Sequence, residues 1–181
     1  MRIAQIEPGA SISPSKAELL RPWLATQPWF RGDASTAEIV GAYRFVDPAG
    51  QVGLEGQIVL CGGQTYHVPL TYRGAPLEGG EPALVGTMAH STLGRRWVYD
   101  GESDPVFLDE LARVIAEGDT EAERSLGAKT AWVRGSGASA REPTPRVLRR
   151  PVPEPPACGG WLTGRWLVAG REESGVLALL C

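Results

Sequence analysis

His67 and His90 are the only histidines in this 181-residue chain. A hydrolytic triad or an imidazole metal site would need one of them together with suitably placed partners. His67 lies in the strand-like segment Tyr66-His67-Val68, on the side opposite the apolar residues. We therefore expect His67 to face solvent rather than to take part in chemistry.

The segment that begins at His90 is the stronger candidate for binding. Ser91, Arg95 and Arg96 supply hydroxyl and guanidinium donors just after a predicted strand, and a loop with these donors could hold a phosphate or a carboxylate. The alternative is a structural hairpin whose arginines pair with nearby carboxylates: Asp100, Glu102 or Asp104. We favour the hairpin, since surface ion pairs are common and no glycine-rich phosphate motif is present.

Acidic pairs and tryptophans are weaker candidates. The acidic pairs lie in predicted helices or turns, where solvated faces explain them better than acid–base catalysis: Asp109/Glu110, Glu121/Glu123 and Glu172/Glu173. Tryptophans could stack on sugars, and the first to consider are Trp97, Trp161 and Trp166. Core packing is the better explanation, because each indole has a large apolar area to bury.

No segment matches a phosphate-gripping Gly-x-x-x-x-Gly-Lys-Ser/Thr loop, a kinase glycine-rich loop or a kinase catalytic loop. Cys61, Cys158 and Cys181 are widely spaced and lack the close pairs of a zinc or redox motif, so we expect reduced thiols. The sequence therefore predicts no catalytic residue, no metal ligand and no cofactor.

Composition limits the partners. The formal net charge of −3 argues against nucleic-acid and acidic-membrane binding, since both need a basic face. The start of the chain has no apolar run typical of a signal peptide, and no run of about eighteen apolar residues occurs anywhere. We expect a cytoplasmic protein.

A helix should begin near Ser15, because Ser15 and Glu18 form a capping-box pattern. Pro22 should kink this helix or divide it into two short ones, since proline removes a backbone donor. Trp29 and Phe30 should then fold back as a plug against a sheet, because two large rings left in water would form an exposed apolar patch.

Alternating apolar residues from 37 to 73 predict three strands joined by tight turns, which is an antiparallel meander. Two further strands at 84–89 and 95–99 should continue it. Asp104-Pro105 begins a helix that Gly118 ends. After it, residues 121–126 could form a helical turn and residues 128–134 a strand.

The last part of the chain changes in character. Residues 135–157 are rich in glycine and proline and predict a linker, whereas residues 158–181 predict an apolar β-hairpin that docks on the main sheet. We thus divide the chain into a domain at 1–134, a linker at 135–157 and a hairpin at 158–181.

Three segments carry a family resemblance: Trp23-Leu24-x-x-Gln27-x-Trp29-Phe30-x-Gly32, Tyr66-His-Val-Pro-Leu70, and Val98-Tyr99-Asp100 before Asp104-Pro105. Residues 1–134 resemble the N-terminal cap of maltokinases and related aminosugar kinases. The chain is also similar to short stand-alone cap-like proteins of actinobacteria. The resemblance implies an α+β fold, with a curved, somewhat cystatin-like antiparallel sheet and flanking helices, and no kinase catalytic residues.

The resemblance also implies a function. We expect a non-catalytic cytosolic module that docks on an enzyme of maltose, trehalose or α-glucan metabolism, or on a sugar kinase. Its candidate binding residues are Trp29, Phe30, His90, Ser91, Arg95, Arg96, Trp97 and Asp100. The alternatives are a binder of a small anionic or phosphorylated sugar or nucleotide through residues 90–96, an accessory part of a sugar kinase, and, ranked last, an enzyme.

Overall fold

The computed structural model describes residues 2–138, 144–157 and 159–181. Residues 139–143, expected in the linker, and Cys158, expected to start the hairpin, lie outside the described residues. The helices and strands of the described part are α1 (Lys16–Ala25), α2 (Pro105–Glu117), β1 (Ile3–Ala4), β2 (Ile12–Ser13), β3 (Glu38–Val46), β4 (Gly53–Cys61), β5 (Gln64–Arg73), β6 (Leu84–His90), β7 (Gly94–Asp100), β8 (Glu123–Arg124), β9 (Ala131–Gly135), β10 (Pro145–Val152), β11 (Gly160–Val168) and β12 (Arg171–Leu180). Short 3-10 helices lie at Ala34–Thr36, Glu81–Ala83 and Gly101–Ser103.

The larger sheet has six antiparallel strands in the order β2-β6-β7-β5-β4-β3, and it curls into a half-barrel. The meander β3-β4-β5 is present as the alternating pattern predicted. The β6–β7 hairpin joins this meander through β7, which pairs with the end of β5. Strand β6 pairs with the other side of β7. The prediction of an α+β fold with a curved antiparallel sheet is confirmed.

A second sheet has four antiparallel strands in the order β10-β12-β11-β9. β10 lies within residues 135–157, which we expected to be a linker. Pro145 begins this strand, and Pro151 falls where the pairing with β12 shifts register, so neither proline removes a regular ladder bond. The division into domain, linker and docked hairpin stays a prediction.

Helix α1 has the capping box expected at Ser15 and Glu18. It continues through Pro22 as one helix, so the second of the two expected alternatives, a division into two short helices, is wrong. Pro22 removes one backbone donor from the helix. Trp23 and Leu24 follow Pro22, and their burial stabilises the last turn of the helix. The helical turn expected at residues 121–126 is also wrong, because β8 pairs there in parallel with β1.

Helix α2 begins and ends as predicted. Asp104 accepts a hydrogen bond from the Val106 amide as the N-cap, and Pro105 occupies the first helical turn. Gly118 adopts a left-handed conformation with φ of 66° at the C-terminus, which favours glycine. These two caps set where the helix begins and ends.

The central strands β4 and β5 of the six-stranded sheet are buried on both faces. Helix α1 covers one face, where Leu20 and Leu24 belong to the same apolar cluster as Val59 and Val68. The four-stranded sheet and α2 cover the other face, where Phe45 and Ile58 share a second cluster with residues such as Phe107, Leu111 and Trp166. Strand β5 is therefore buried along most of its length.

Cys61 is a buried free thiol, as expected. Cys181 is disulfide-bonded, so the expectation of a reduced thiol is wrong for this residue; wide spacing along the chain does not prevent contact in space. Disulfides are rare in the cytosol, and the cytoplasmic location stays a prediction. Within the three described ranges, no helix has the length and apolarity needed to cross a bilayer.

Candidate functional site

Trp29 and Phe30 form a plug on the sheet, as predicted. We define the aromatic plug as Trp23, Trp29, Phe30 and Tyr66. The ring centroids of Trp23 and Trp29 are 5.8 Å apart, and those of Phe30 and Tyr66 are 4.8 Å apart. The Tyr66 hydroxyl accepts from the Arg31 amide at 3.1 Å and donates to the Arg31 carbonyl at 2.9 Å. Phe30 is buried and Trp29 half-buried, so this candidate pair serves packing first.

Arg149 of β10 covers the exposed side of the plug. Its Cζ atom lies 4.7 Å from the centroid of the Trp29 ring, a distance that allows a cation–π contact. The same guanidinium bonds to Asp100 and, at 2.8 Å, to Glu102. The structure thus brings Trp29 and Asp100, two predicted site residues, to one arginine that the sequence analysis did not single out.

The polar groups at the turn between β6 and β7 stabilise the turn itself. His90 Nδ1 accepts from the amides of Thr92 at 3.3 Å and Leu93 at 3.2 Å. Ser91 Oγ accepts from the Ser11 amide at 3.0 Å. His90 and Ser91 are therefore engaged in local structure.

Arg95 and Arg96 make no ion pair with any residue in the described ranges. The carboxylates expected to pair with them are bonded elsewhere, so that expectation is wrong: Arg149 binds Asp100 and Glu102, and Arg73 binds Asp104. Because neighbouring residues of a strand point to opposite faces, Arg95 and Arg96 do not converge. Trp97 is half-buried and shares the face of Arg95.

A buried carboxylate cluster lies beneath α1. Glu55 is almost fully buried, and its oxygens accept from Lys16 Nζ at 2.8 and 2.6 Å and from the Tyr72 hydroxyl at 2.9 Å. Arg44 Nε lies 3.4 Å away. Burial alone would raise the pKa of Glu55, but the charges of Lys16 and Arg44 outweigh it and lower the pKa to about 2.

Asp104 forms a second buried cluster between β5 and α2. Arg73 donates to both carboxylate oxygens at 2.7 Å, and Thr71 donates at 2.7 Å. Burial acts to raise the pKa of Asp104, but the hydrogen bonds from Arg73 and Thr71 and the N-cap bond lower it overall. This carboxylate is therefore ionised and structural.

His67 is fully buried, so the expectation of a solvent-facing residue is wrong. Its Nδ1–H donates to the Leu177 carbonyl at 3.0 Å, and its Nε2 accepts from the Tyr43 hydroxyl at 2.8 Å. Burial and the positive charge of Arg149 lower the pKa of His67 to about 3. His67 is therefore neutral and links β5 to β12, a strand of the second sheet. Strand β12 covers the face of β5 that would lie in water if only one face of the first sheet were covered.

These networks join elements and do not converge on a shared open site. Across residues 2–138, 144–157 and 159–181, no group of three or more His, Cys, Asp and Glu side chains is arranged to hold a metal ion. Four residues of these networks have partners that are distant in sequence, so no local motif marks them: Lys16, Glu55, Arg73 and Arg149.

Comparison with known families adds one finding. Residues 23–104 match the family model of the maltokinase N-terminal cap domain. The resemblance is confirmed over this segment. The cap segment begins in α1, includes Trp29, Phe30, Tyr66 and β3 to β7, and ends at the N-cap of α2. No curated protein and no solved structure matches the chain.

Proposed function

We propose that this chain is a non-catalytic module that docks on an enzyme of maltose, trehalose or α-glucan metabolism. The observation that carries the proposal is the match of residues 23–104 to the maltokinase cap domain. A cap associated with a sugar kinase is expected to act beside an enzyme of the same metabolism. This inference rests on the family match, and the exposed surface of the cap segment supports it.

The turn between β6 and β7 is the surface we assign to docking. Leu93 is 48% exposed, and Arg95 is exposed without an ion pair. Trp97 adds a half-buried indole on the Arg95 side of β7. Such a surface favours a partner that has an apolar patch surrounded by carboxylates. Burial of the apolar patch supplies affinity, and charge complementarity sets the orientation of the partner.

The aromatic plug contributes less to this surface than the sequence suggested. Phe30 is buried, and Arg149 stacks on Trp29, so a partner would first have to displace Arg149 from Asp100 and Glu102. Removing a guanidinium from a carboxylate at the cost of its hydrogen bonds is unfavourable. We therefore assign Trp29 and Phe30 to the support of the surface.

The ionisable groups of the interior favour a module without catalysis. Glu55 and Asp104 each bond to a cation, and His67 bonds through both ring nitrogens. A general acid or base must reach a substrate proton, and these groups are enclosed by their structural partners.

Affinity purification from native cells tests the proposal. We expect the full chain to recover an enzyme of maltose, trehalose or α-glucan metabolism, and the double variant L93D/R95E to lose it. R171E, which reverses an exposed arginine at the start of β12, is the matched control and should retain the partner. Recovery of the same partner by L93D/R95E would reject the surface; recovery of no such enzyme by the wild-type chain would reject the function.

The alternative of a small anionic sugar or nucleotide at residues 90–96 has less support. His90 Nδ1 is already bonded to the turn, and Arg95 and Arg96 point to opposite faces of β7. Calorimetry with maltose 1-phosphate and ATP would revive this alternative if heat appeared and R95A abolished it.

A further inference from the structure

A cleft of about 450 Å³ lies on the outer face of the four-stranded sheet, outside the cap segment. We name it the outer cleft. Its volume is in the range of small-molecule sites. Its floor and walls include Glu121, Trp132, Arg134, Thr163, Arg165 and Ser174.

The register of β9 and β11 places the polar residues of the cleft together. Arg134 is opposite Thr163, and Trp132 is opposite Arg165. All four alternate with buried residues such as Val133, and so they share the outer face. Arg134 and Arg165 are then diagonal neighbours, with Cα atoms about 7–8 Å apart. Two long guanidinium side chains at that spacing can reach one ligand group.

Both arginines have unused donors. The Arg134 guanidinium makes no hydrogen bond or ion pair with the described residues. The nearest carboxylate to Arg165 belongs to Glu172 at 3.6 Å, which is too long for a hydrogen bond, and both side chains are more than half exposed. Arg165 Cζ lies 5.5 Å from the centroid of the Trp132 ring, which orients its guanidinium beside the cleft.

The carboxylate among the residues that line the cleft is already occupied. Glu121 Oε1 accepts from Lys129 Nζ at 2.9 Å, and its Oε2 accepts from the Val133 amide at 2.7 Å. The Thr163 hydroxyl donates to the Arg134 carbonyl at 3.2 Å. A ligand that enters therefore meets free donors and no free carboxylate, which favours an oxyanion over a neutral polyol.

We propose that the outer cleft binds a small molecule through a phosphate or carboxylate group. Arg134 and Arg165 bind the oxyanion, and the indole of Trp132 contacts an apolar part of the same molecule. This site is separate from the docking surface at the β6–β7 turn, and it needs no partner enzyme.

Calorimetry on the full chain tests the proposal with four probes: inorganic phosphate, phenyl phosphate, benzoate and phenol. We expect phenyl phosphate or benzoate to bind more tightly than inorganic phosphate, because the ring contacts Trp132. Phenol lacks the oxyanion and should give no heat. A preference for phenyl phosphate identifies a phosphate ligand, and a preference for benzoate identifies a carboxylate ligand.

Variants locate the binding. R134A and R165A should each weaken the binding of the preferred anion about tenfold or more, since each removes charge-assisted hydrogen bonds. W132A should weaken the aromatic anion and leave inorganic phosphate unchanged. R146A, at an exposed arginine of β10 outside the cleft, is the matched control and should bind as the wild type does. Heat from no anion at millimolar concentration would overturn the proposal, as would full affinity in R134A and R165A or loss of affinity in R146A.

Discussion

The buried carboxylates of the cap segment and the exposed arginines at two edges of the molecule differ in how their charges are used. Glu55 and Asp104 bond to cations from other elements, and the hydrogen bonds from these cations are 2.6 to 2.8 Å long. Arg95 and Arg134 make no ion pair in the described part of the chain. The two buried carboxylates join helices to strands, whereas the two arginines have donors that face solvent.

This difference distinguishes charged residues that stabilise the fold from charged residues that are available to bind a ligand or partner. A buried ion lacking its partner would cost several kcal/mol, so the buried ions have structural partners. A surface arginine loses little by remaining unpaired, because water solvates it. Binding candidates are therefore found among exposed donors, and the interior pairs should respond to mutation through stability.

Removing the Glu55 charge should have the largest effect. E55Q leaves Lys16 and Arg44 without their shared carboxylate beneath α1. We expect the free energy of unfolding to fall by about 3 kcal/mol, as measured by chemical denaturation at neutral pH. E172Q, at an exposed acidic residue of β12, is the control and should change it by less than about 0.5 kcal/mol.

Acid should reduce the difference between the wild type and E55Q. The pKa of Glu55 in the folded protein, about 2, is below its ordinary value of 4.5. Its contribution is thus present above pH 4.5 and is lost as the pH falls toward 2. A difference that stays constant across this window would show that Glu55 does not act through its charge.

Arg149 should have the next largest effect, because it links the aromatic plug to Asp100 and Glu102. R149A leaves the mostly buried Asp100 unpaired, and we expect a loss of about 2 kcal/mol. R149K keeps the charge but loses the planar contact with Trp29, so its loss should be smaller. R146A is the control at an exposed arginine of the same strand. Equal losses in R149A and R146A would contradict the role of Arg149 as a structural link.

Local patterns in the sequence were enough for much of the fold. Alternating residues predicted β3 to β5, and the Asp104-Pro105 start and the Gly118 end predicted α2. Antiparallel pairing of β11 with β12 agrees with the hairpin predicted within residues 158–181. The pairing of β5 with β7, and of β9 and β10 with this hairpin, was missed, since pairing between distant strands leaves no local signature. Proline content also concealed β10, where a register shift accommodates Pro151.

The candidate site was only partly predictable. The need to bury two large rings correctly predicted the plug of Trp29 and Phe30. Arg149 could not be found in this way, because its contacts come from a strand far along the chain. The position of His67 was wrong for a related reason: alternation shows which residues share a face, and it does not show that a second sheet covers the other face.

His67 should give a smaller, pH-dependent effect. Its folded-state pKa of about 3 is below the ordinary 6.5, so the unfolded chain binds a proton that the folded chain does not. Stability should therefore fall as the pH decreases below 6.5, with a slope that approaches about 1.4 kcal/mol per pH unit from this residue.

The variant H67Q isolates this slope between pH 6.5 and 5. It should flatten the slope, whatever its effect on stability at neutral pH, because the titrating group is gone. Denaturation midpoints of H67Q and of the wild type across the pH range measure the slope, and a steep slope in H67Q would place the titration elsewhere.

The exposed arginines should give the smallest effect on stability. R95A and R134A each remove a side chain with no ion pair in the described structure, so we expect the free energy of unfolding to change by less than about 0.5 kcal/mol. Chemical denaturation of both variants, beside R149A, measures the contrast directly. A loss above about 1 kcal/mol in R95A or R134A would mean that these arginines stabilise the fold, and their unpaired donors would no longer indicate binding. Near-wild-type stability, together with loss of the partner in L93D/R95E or of the anion in R134A, would assign the two groups of charges to separate tasks.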